Sequence, residues 1–317
     1  MSDLNFAADA PVRGDLDVRW IHGSPRRSPD TDPPFQVHRY DPHTYVLRQS
    51  KALTAEAPFL YLLFGSERAV LFDTGASKKG GDENPLRKTV DGIVDAWLAE
   101  HPRENYELVV AHTHGHLDHV EGDAQLADRP ATTVVDRELE AVQEFFGFTA
   151  WPDQIVRFDL GGGRVLELIG TPGHQRATVT IYDPWSGFLL TADNALPGRI
   201  YAFDFPVYLD SMERTVEFAG TREVTHVMGC HIEMTQRPGR DYPIGCRYQP
   251  DERPLQMTVR QLIDLRDAAR SVKDKRGVHR FDDFLILNGP ARRYVVPLLA
   301  RALWAKVWPP QTAPRQG

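Results

Sequence analysis

Residues 113–119, Thr113-His114-Gly115-His116-Leu117-Asp118-His119, bring three imidazoles and a carboxylate together within one short segment. The segment follows the apolar run 106–112 (YELVVAH), which predicts a strand buried inside a sheet. In an extended segment His114 and His116 project to the same side of the backbone, where they can share a metal ion. Imidazole and carboxylate are ligands that Zn²⁺ prefers in proteins, and no thiolate is needed. The segment therefore predicts a metal-binding loop at the end of a buried strand.

Three more candidate ligands each follow a predicted strand. His174 ends GTPGH, Asp193 ends LLTAD, and His231 follows VMGC. Strand ends are where α/β sheets place their ligand-binding residues, so we expect all three near the loop. The candidate ligands are then His114, His116, Asp118, His119, His174, Asp193 and His231. Seven ligands are enough for two metal sites if one carboxylate bridges the two ions.

The rest of the chain alternates between short apolar runs and segments with helical spacing. The predicted strands are YVLRQS, PFLYLLFGS, RAVLFDTG, TTVVD, RVLELIGTPG, TVTIYD, GFLLTADN, THVMGCH and FDDFLILNG. Helical spacing predicts helices over residues 84–100, 137–146, 211–220, 255–275 and 292–307. This alternation predicts a layered α/β fold.

Composition excludes several classes of protein. The 317 residues include 37 Lys and Arg against 44 Asp and Glu, a net charge of −7, with 41% hydrophobic residues. These values exclude a disordered or collagen-like chain, and the acidic balance argues against nucleic-acid binding. The polar N-terminus lacks a secretory signal, and no apolar run reaches the roughly 20 residues that cross a bilayer. We expect a cytoplasmic protein without stable membrane insertion, although a chain with its signal peptide removed would look the same.

The metal-binding loop resembles the HxHxDH signature of the metallo-β-lactamase superfamily. The downstream sequences TPGH, LLTAD and VMGCH occur in the superfamily's order, and VLFDTG, which contains Asp73, resembles its first motif. The resemblance covers about residues 58–232. It implies a four-layer αββα sandwich, here flanked by an extended N-terminal arm (1–36) and a C-terminal helical extension. The catalytic domain would span 37–235, and residues 236–317 would form a substrate-covering loop and the helical extension packed on that domain.

The resemblance also implies a role for each candidate residue. His114, His116 and His174 would hold one metal ion; Asp118, His119 and His231 would hold the second; Asp193 would bridge the two. The implied cofactor is a pair of Zn²⁺ ions, with Fe or Mn as alternatives. Asp118 would act as ligand and proton shuttle, and Asp73 would orient the metal-binding loop from behind the ligands.

The implied activity is hydrolysis of an ester, thioester or lactone in a small molecule by a metal-bound hydroxide. In having an aspartate at position 193, the ligand set resembles that of hydroxyacylglutathione hydrolases, lactonases and RNase Z. Glu121 and the sequence TPGHQRAT depart from the glyoxalase-type pattern, so specificity for glutathione thioesters does not follow. Alternatives on the same site are phosphodiester or phosphonate hydrolysis and β-lactam hydrolysis. A non-enzymatic alternative is a metal-binding or di-iron redox module.

Several segments outside the motifs have two interpretations each. The aromatic runs 200–208 and 145–151 either pack in the core or line a pocket for an apolar substrate. In the loop 235–254, Arg237, Arg240 and Arg247 either contact a substrate carboxylate or phosphate, or are solvated. The helix 292–307 packs on the domain or on a second subunit, or lies on a membrane surface. We expect His112 to pack beneath the site and Cys230 to be a small buried residue, which would pair with Cys246 only in an exported protein.

Overall fold

Two six-stranded sheets form the centre of the molecule. The computed structural model describes residues 4–7, 10–25, 28–289, 296, 298–301 and 303, so the helix expected over 292–307 lies largely outside the described residues. The first sheet runs in chain order through β1 (Phe35–Asp41), β2 (Thr44–Gln49), β3 (Phe59–Phe64), β4 (Arg68–Phe72), β5 (Glu107–Ala111) and β6 (Thr132–Val134). Neighbouring strands from β1 to β4 pair in antiparallel orientation, and those from β4 to β6 pair in parallel orientation.

The second sheet contains six strands from the later part of the chain. They are β7 (Ile155–Asp159), β8 (Val165–Gly170), β9 (Val179–Asp183), β10 (Phe188–Leu190), β12 (His226–Met228) and β13 (Gln256–Met257), in the spatial order β13-β12-β10-β9-β8-β7. A small third sheet joins β11 (Arg199–Ala202), β14 (Gly277–Arg280) and β15 (Leu285–Asn288). The helices are α1 (Leu86–Glu100), α2 (Leu117–Val120), α3 (Leu139–Phe146), α4 (Phe205–Gly220) and α5 (Val259–Ser271).

Three apolar clusters connect these elements into layers. The outer face of the first sheet packs on α1, whose Val90 and Trp97 lie on one stripe of the helix. The inner faces of the two sheets meet in a second cluster. The outer face of the second sheet packs on α4 and α5 through residues such as Met212 and Leu265. The four-layer αββα sandwich expected from the sequence is therefore confirmed.

The segment before β1 contains no helix or strand in its described residues, yet it is packed against the sandwich. Phe6 and Trp20 are buried, and the Trp20 ring meets Phe59 edge-on with centroids 4.9 Å apart. Within the described residues, no helix has both the length and the apolar character required to cross a membrane. The domain boundaries at 36 and 235 stay predictions.

Two helices differ from the sequence-based prediction at their first turns. Helix α4 begins at Phe205 instead of 211, because the Asp204 side chain accepts a hydrogen bond from the Val207 amide and caps it. Helix α5 begins after Thr258, which forms a capping box with Gln261, so the predicted start at 255 was wrong. The residues just before this cap form β13 instead.

Candidate metal centre

All seven candidate ligands meet at one edge of the sandwich. The loop after β5 carries four of them, with Asp118 and His119 on the short helix α2. His174, Asp193 and His231 follow β8, β10 and β12 of the second sheet. Their donor atoms form two groups, each with its atoms within 4.8 Å of one another. The structure thus brings together the residues that the sequence singled out, and their binding of metal stays a proposal.

The first group consists of His114, His116 and His174. Nδ1 of His116 lies 3.1 Å from Nε2 of His114 and 2.9 Å from Nε2 of His174. Ligands that bind one Zn²⁺ tetrahedrally at 2.0–2.1 Å are about 3.3 Å apart, so this spacing fits a shared ion closely.

The second group consists of Asp118, His119, Asp193 and His231. The Nε2 atoms of His119 and His231 are 3.3 Å apart, and Oδ2 of Asp118 lies 3.5 and 3.4 Å from them. Asp193 faces both groups: its Oδ2 is 3.6 Å from Nε2 of His174 and 3.8 Å from Nε2 of His119. One carboxylate therefore lies between the two groups.

Asp193 also provides a test of whether the site fits cations. Its Oδ1 atom is buried, and no group in the described residues forms a hydrogen bond to it. A buried carboxylate oxygen without a partner is costly, and a bound cation would remove that cost. The donor set contains only imidazole nitrogens and carboxylate oxygens, which suits Zn²⁺ and also Fe or Mn. The residues present fit a pair of divalent metal ions.

Hydrogen bonds behind the ligands fix the orientation of three imidazole rings. Nδ1 of His119 donates to Oδ2 of Asp73 at 2.8 Å, His174 donates to the Tyr201 carbonyl at 2.9 Å, and His231 donates to the Glu56 carbonyl at 3.1 Å. Each bond leaves Nε2 free to face the metal group.

Asp73 holds the metal-binding loop from a fully buried position. Besides His119, it accepts hydrogen bonds from the amide and the hydroxyl of Thr113, at 2.7 and 2.8 Å. It does not line the cavity described below, which places it behind the ligands, whereas Asp118 does line that cavity.

The two ligand groups differ in their affinity for protons. Burial lowers the pKa of His174 to about 4 and that of His114 well below its ordinary value. Burial would also lower the pKa of His231, but the carboxylates of Asp193 and Asp118 outweigh it and raise that pKa to about 9. At neutral pH the imidazoles of His114 and His174 are therefore uncharged, whereas His231 carries a proton that a bound cation would have to displace.

A cavity of about 190 Å³ opens beside the ligands. Its wall is completed by residues that are not candidate ligands: Glu56, Leu196, Arg199, Tyr201, Phe203 and Glu233. The aromatic run 200–208 is therefore divided between two roles, since Tyr201 and Phe203 line the cavity while Ile200 and Tyr208 lie in the core. The second run, 145–151, packs in or against the core between the sheets.

Sequence reasoning missed Glu56, Arg199 and Glu233. Glu233 had a usable signal, because it lies two residues after His231 and alternate residues of an extended segment face the same side. Arg199 and Glu56 had none, because only the tertiary fold brings β11 and the segment before β3 to the cavity.

Arg199 is occupied by protein partners. Its guanidinium donates to Asp241 at 3.0 Å, to the Tyr242 carbonyl at 2.7 Å, to the Tyr201 hydroxyl at 3.3 Å and to Glu233. Its backbone amide donates to the second oxygen of Glu233 at 2.7 Å. It therefore offers little to a substrate anion.

Other candidates lie outside both ligand groups. Arg237 and Arg240 are exposed and do not line the cavity, and Arg247 donates to two backbone carbonyls, at Lys51 and Ala52. A covering role for the loop 235–254 stays a prediction.

The other polar candidates near the site do not line the cavity. His112 is buried, and its Nε2 lies 3.2 Å from Oδ2 of Asp123, although neither ring nitrogen forms a hydrogen bond within the described residues. Cys230 and Cys246 are free; Cys230 is buried, and burial raises the pKa of its thiol to about 12, which argues against a nucleophile.

The sequence of this chain is similar to a known superfamily and to several enzymes within the curated proteins. A sequence model of the metallo-beta-lactamase superfamily matches residues 53–268, more than half of the chain. A hydroxyacylglutathione hydrolase from Chelativorans sp. is 30% identical over 133 residues, which cover 40% of this chain and about half (49%) of that enzyme. One from Brucella ovis is 26% identical over 194 residues, covering 58% and 70%.

Solved structures that are similar to this chain share less of its sequence. DIM-1 metallo-beta-lactamase is 13% identical, with a TM-score of 0.47 and coverage of 76% of this chain and 99% of that one. An archaeal superfamily protein from Sulfolobus tokodaii is 16% identical, with a TM-score of 0.44 and coverage of 86% and 99%.

Proposed function

Because this chain belongs to the metallo-β-lactamase superfamily and is a metal-dependent hydrolase, we propose that it cleaves an ester, thioester or lactone at a binuclear site. The observation that carries the proposal is the position of Asp193, whose carboxylate lies between two complete ligand groups. The hydroxyacylglutathione hydrolases among its relatives support a thioester in particular. The volume of about 190 Å³ supports a small molecule as the substrate.

Two bound divalent ions would supply a water of lowered pKa and a Lewis acid for the substrate oxygen. His114, His116 and His174 would hold one ion; Asp118, His119 and His231 would hold the other, with Asp193 shared. Zn²⁺ is the first choice, with Fe or Mn as alternatives.

Two side chains at the cavity are suited to handle protons. Asp118 is the more exposed of the two ligand carboxylates, at 27% against 13% for Asp193. It is therefore placed to take a proton from water and to pass it to the leaving group. Burial raises the pKa of Tyr201 to about 12, so its hydroxyl stays protonated and can donate a hydrogen bond to a substrate oxygen.

The test combines metal analysis with a substrate panel. We expect two metal equivalents per chain, and turnover of thioester, lactone or aryl-ester probes that is lost with a chelator and restored by Zn²⁺. His116→Ala should abolish both metal binding in the first group and turnover, whereas His279→Ala, outside both groups, should change neither.

Some results would contradict the proposal. A protein that binds no metal, or whose turnover survives His116→Ala, would rule out this centre. Faster turnover of bis-(p-nitrophenyl) phosphate or of a β-lactam than of every acyl probe would reassign the reaction. Bound iron without hydrolysis of any probe would support a redox module.

A further inference from the structure

The wall of the cavity outside the metal ligands combines apolar and acidic residues. Leu196, Tyr201 and Phe203 supply its apolar surface. Glu56 and Glu233 supply its carboxylates. This composition bears on which part of a substrate can enter.

Phe203 lines the cavity beside the metal ligands and is partly exposed to solvent. Its side chain is 48% exposed, and its ring stacks on Tyr201 with centroids 6.1 Å apart and planes at 17°. The same ring lies 5.7 Å from the ring of His174 and 6.2 Å from that of His116. An apolar group held near those ligands would cover this ring and remove its surface from water.

The charges of the cavity disfavour an anionic group. Among the described residues that line it, Arg199 is the one basic side chain apart from histidine, and its guanidinium is held by Glu233, Asp241, Tyr201 and Tyr242. Beyond reach of the two proposed metal ions, a carboxylate at the far end of an acyl chain would find no free basic side chain on this wall and would lie near the carboxylates of Glu56 and Glu233. The like charges would repel each other in a partly buried setting, where screening is weak.

We propose that the group entering this cavity is a short, uncharged acyl chain that packs against Phe203 and Tyr201. This inference rests on the proposed acyl hydrolysis and narrows its substrate class. The volume of about 190 Å³ is below the roughly 300 Å³ at which ordinary small-molecule pockets begin, so only a short chain is enclosed.

A series of N-acetylcysteamine thioesters tests the proposal, because the leaving group stays constant and neutral. Acetyl, butyryl and succinyl thioesters are compared, and the rate without enzyme is subtracted. Each buried methylene should raise kcat/KM about fourfold, so butyryl should exceed acetyl by about 15-fold. Succinyl, which replaces the butyryl methyl group by a carboxylate, should fall at least tenfold below butyryl.

Two variants and a control assign the preferences to the apolar and the acidic residues of the wall. Phe203→Ala should reduce the butyryl-to-acetyl ratio to a few-fold. Ile155→Ala is its matched control, because Ile155 is also 48% exposed but lies on β7 and does not line the cavity. Glu56→Gln removes one negative charge, so the butyryl-to-succinyl ratio of kcat/KM should fall several-fold. The backbone carbonyl of residue 56, which holds His231, is kept in this variant.

Binding of the matching amides gives a readout that is independent of turnover. Calorimetry should show that butyramide binds more tightly than acetamide and more tightly than succinamate, that Phe203→Ala reduces the first preference, and that Glu56→Gln reduces the second. Preferential butyramide binding without hydrolysis of any thioester would support the inference and refute the proposed function. Metal-dependent hydrolysis with succinyl equal to or faster than butyryl, or with ratios unchanged in Phe203→Ala, would overturn the inference alone.

Discussion

At the scale of single residues, the buried carboxylate of Asp73 determines how the metal-binding loop is held. It accepts four hydrogen bonds, two from Thr113, one from His119 and one from the Cys230 thiol at 3.5 Å, with no exposure to solvent. In Asp73→Asn the amide group must face at least one of these donors, and the negative charge beside His119 is lost. We expect metal affinity to fall about 10- to 100-fold, as is typical when a group that orients a ligand is removed.

Competition with a chromogenic chelator measures the change in Zn²⁺ affinity. Asp128→Asn is the control, because it makes the same chemical change in a carboxylate that is 85% exposed. Equal affinities for the two variants would show that Asp73 does not position the ligands.

The protonation of His43 gives a prediction for stability against pH. Burial, followed by the positive charge of Arg164, lowers the pKa of His43 to about 4, and its Nδ1 accepts a hydrogen bond from Trp97 at 3.0 Å. The unfolded chain has the ordinary pKa near 6.5, so between pH 6.5 and 4 it binds a proton that the folded protein does not. The free energy of unfolding must therefore fall as the pH falls through this window.

Urea titrations from pH 7 to pH 4 check this prediction in wild type and His43→Asn. The variant should be less stable at pH 7 and should lose less stability on acidification, whereas other buried histidines affect both proteins alike. Parallel curves would mean that His43 does not contribute to the pH dependence.

At the scale of elements, the loop between β8 and β9 brings His174 to the site by contact with α4. Gly173 has φ +124°, and a Cβ atom there would lie 2.4 Å from the backbone N and Cα of Tyr208. The Gly173 carbonyl accepts a hydrogen bond from the Asp204 amide at 3.0 Å, so the loop cannot simply move away. Gly173→Ala should therefore displace His174 and weaken metal binding as well as stability.

Gly147→Ala is the matched control for Gly173→Ala. Gly147 also has a positive φ, of +82°, but nothing lies within 4 Å of its added Cβ. Gly147→Ala should lose about 1–2 kcal/mol of unfolding free energy, because an alanine is strained at a positive φ, and it should keep its metal affinity. Zn²⁺ titration and urea unfolding separate the two effects; equal losses in both variants would rule out the contact with α4.

The elements that sequence predicted are those with a strong local pattern. The strand β3 is continuously apolar because both of its faces are buried, and α1 carries its apolar residues on one stripe. The candidate ligands could also be predicted, because they follow apolar strands that are recognisable in the sequence. By contrast, β11 was missed because it pairs with β15, more than 80 residues later, and this pairing brings Arg199 and Tyr201 to the cavity. Non-local pairing of this kind leaves no trace in a local window.

At the scale of the whole molecule, the end opposite the metal centre is closed by a buried ion pair. Arg164 precedes β8 and Asp183 ends β9, both in the second sheet, and both side chains are fully buried. The guanidinium also donates to the carbonyls of His43 and Phe64 and to the hydroxyl of Thr44, in the first sheet. All five of its N–H groups are used, so one side chain joins the two sheets.

Removal of this guanidinium should lower stability without changing the metal centre. Arg164→Met leaves the Asp183 carboxylate buried without its partner, which is expected to cost about 3–5 kcal/mol of unfolding free energy. Arg157→Met, the same change at an exposed position on β7, should cost little. Adding Asp183→Asn to Arg164→Met should recover part of the loss, because the buried charge disappears.

Because the ion pair of Arg164 and Asp183 lies at the opposite ends of β8 and β9 from the ligands, Zn²⁺ affinity measured on the folded Arg164→Met variant should equal that of wild type. A reduced affinity would instead show that the spacing of the two sheets at the far end sets the distance between the two ligand groups.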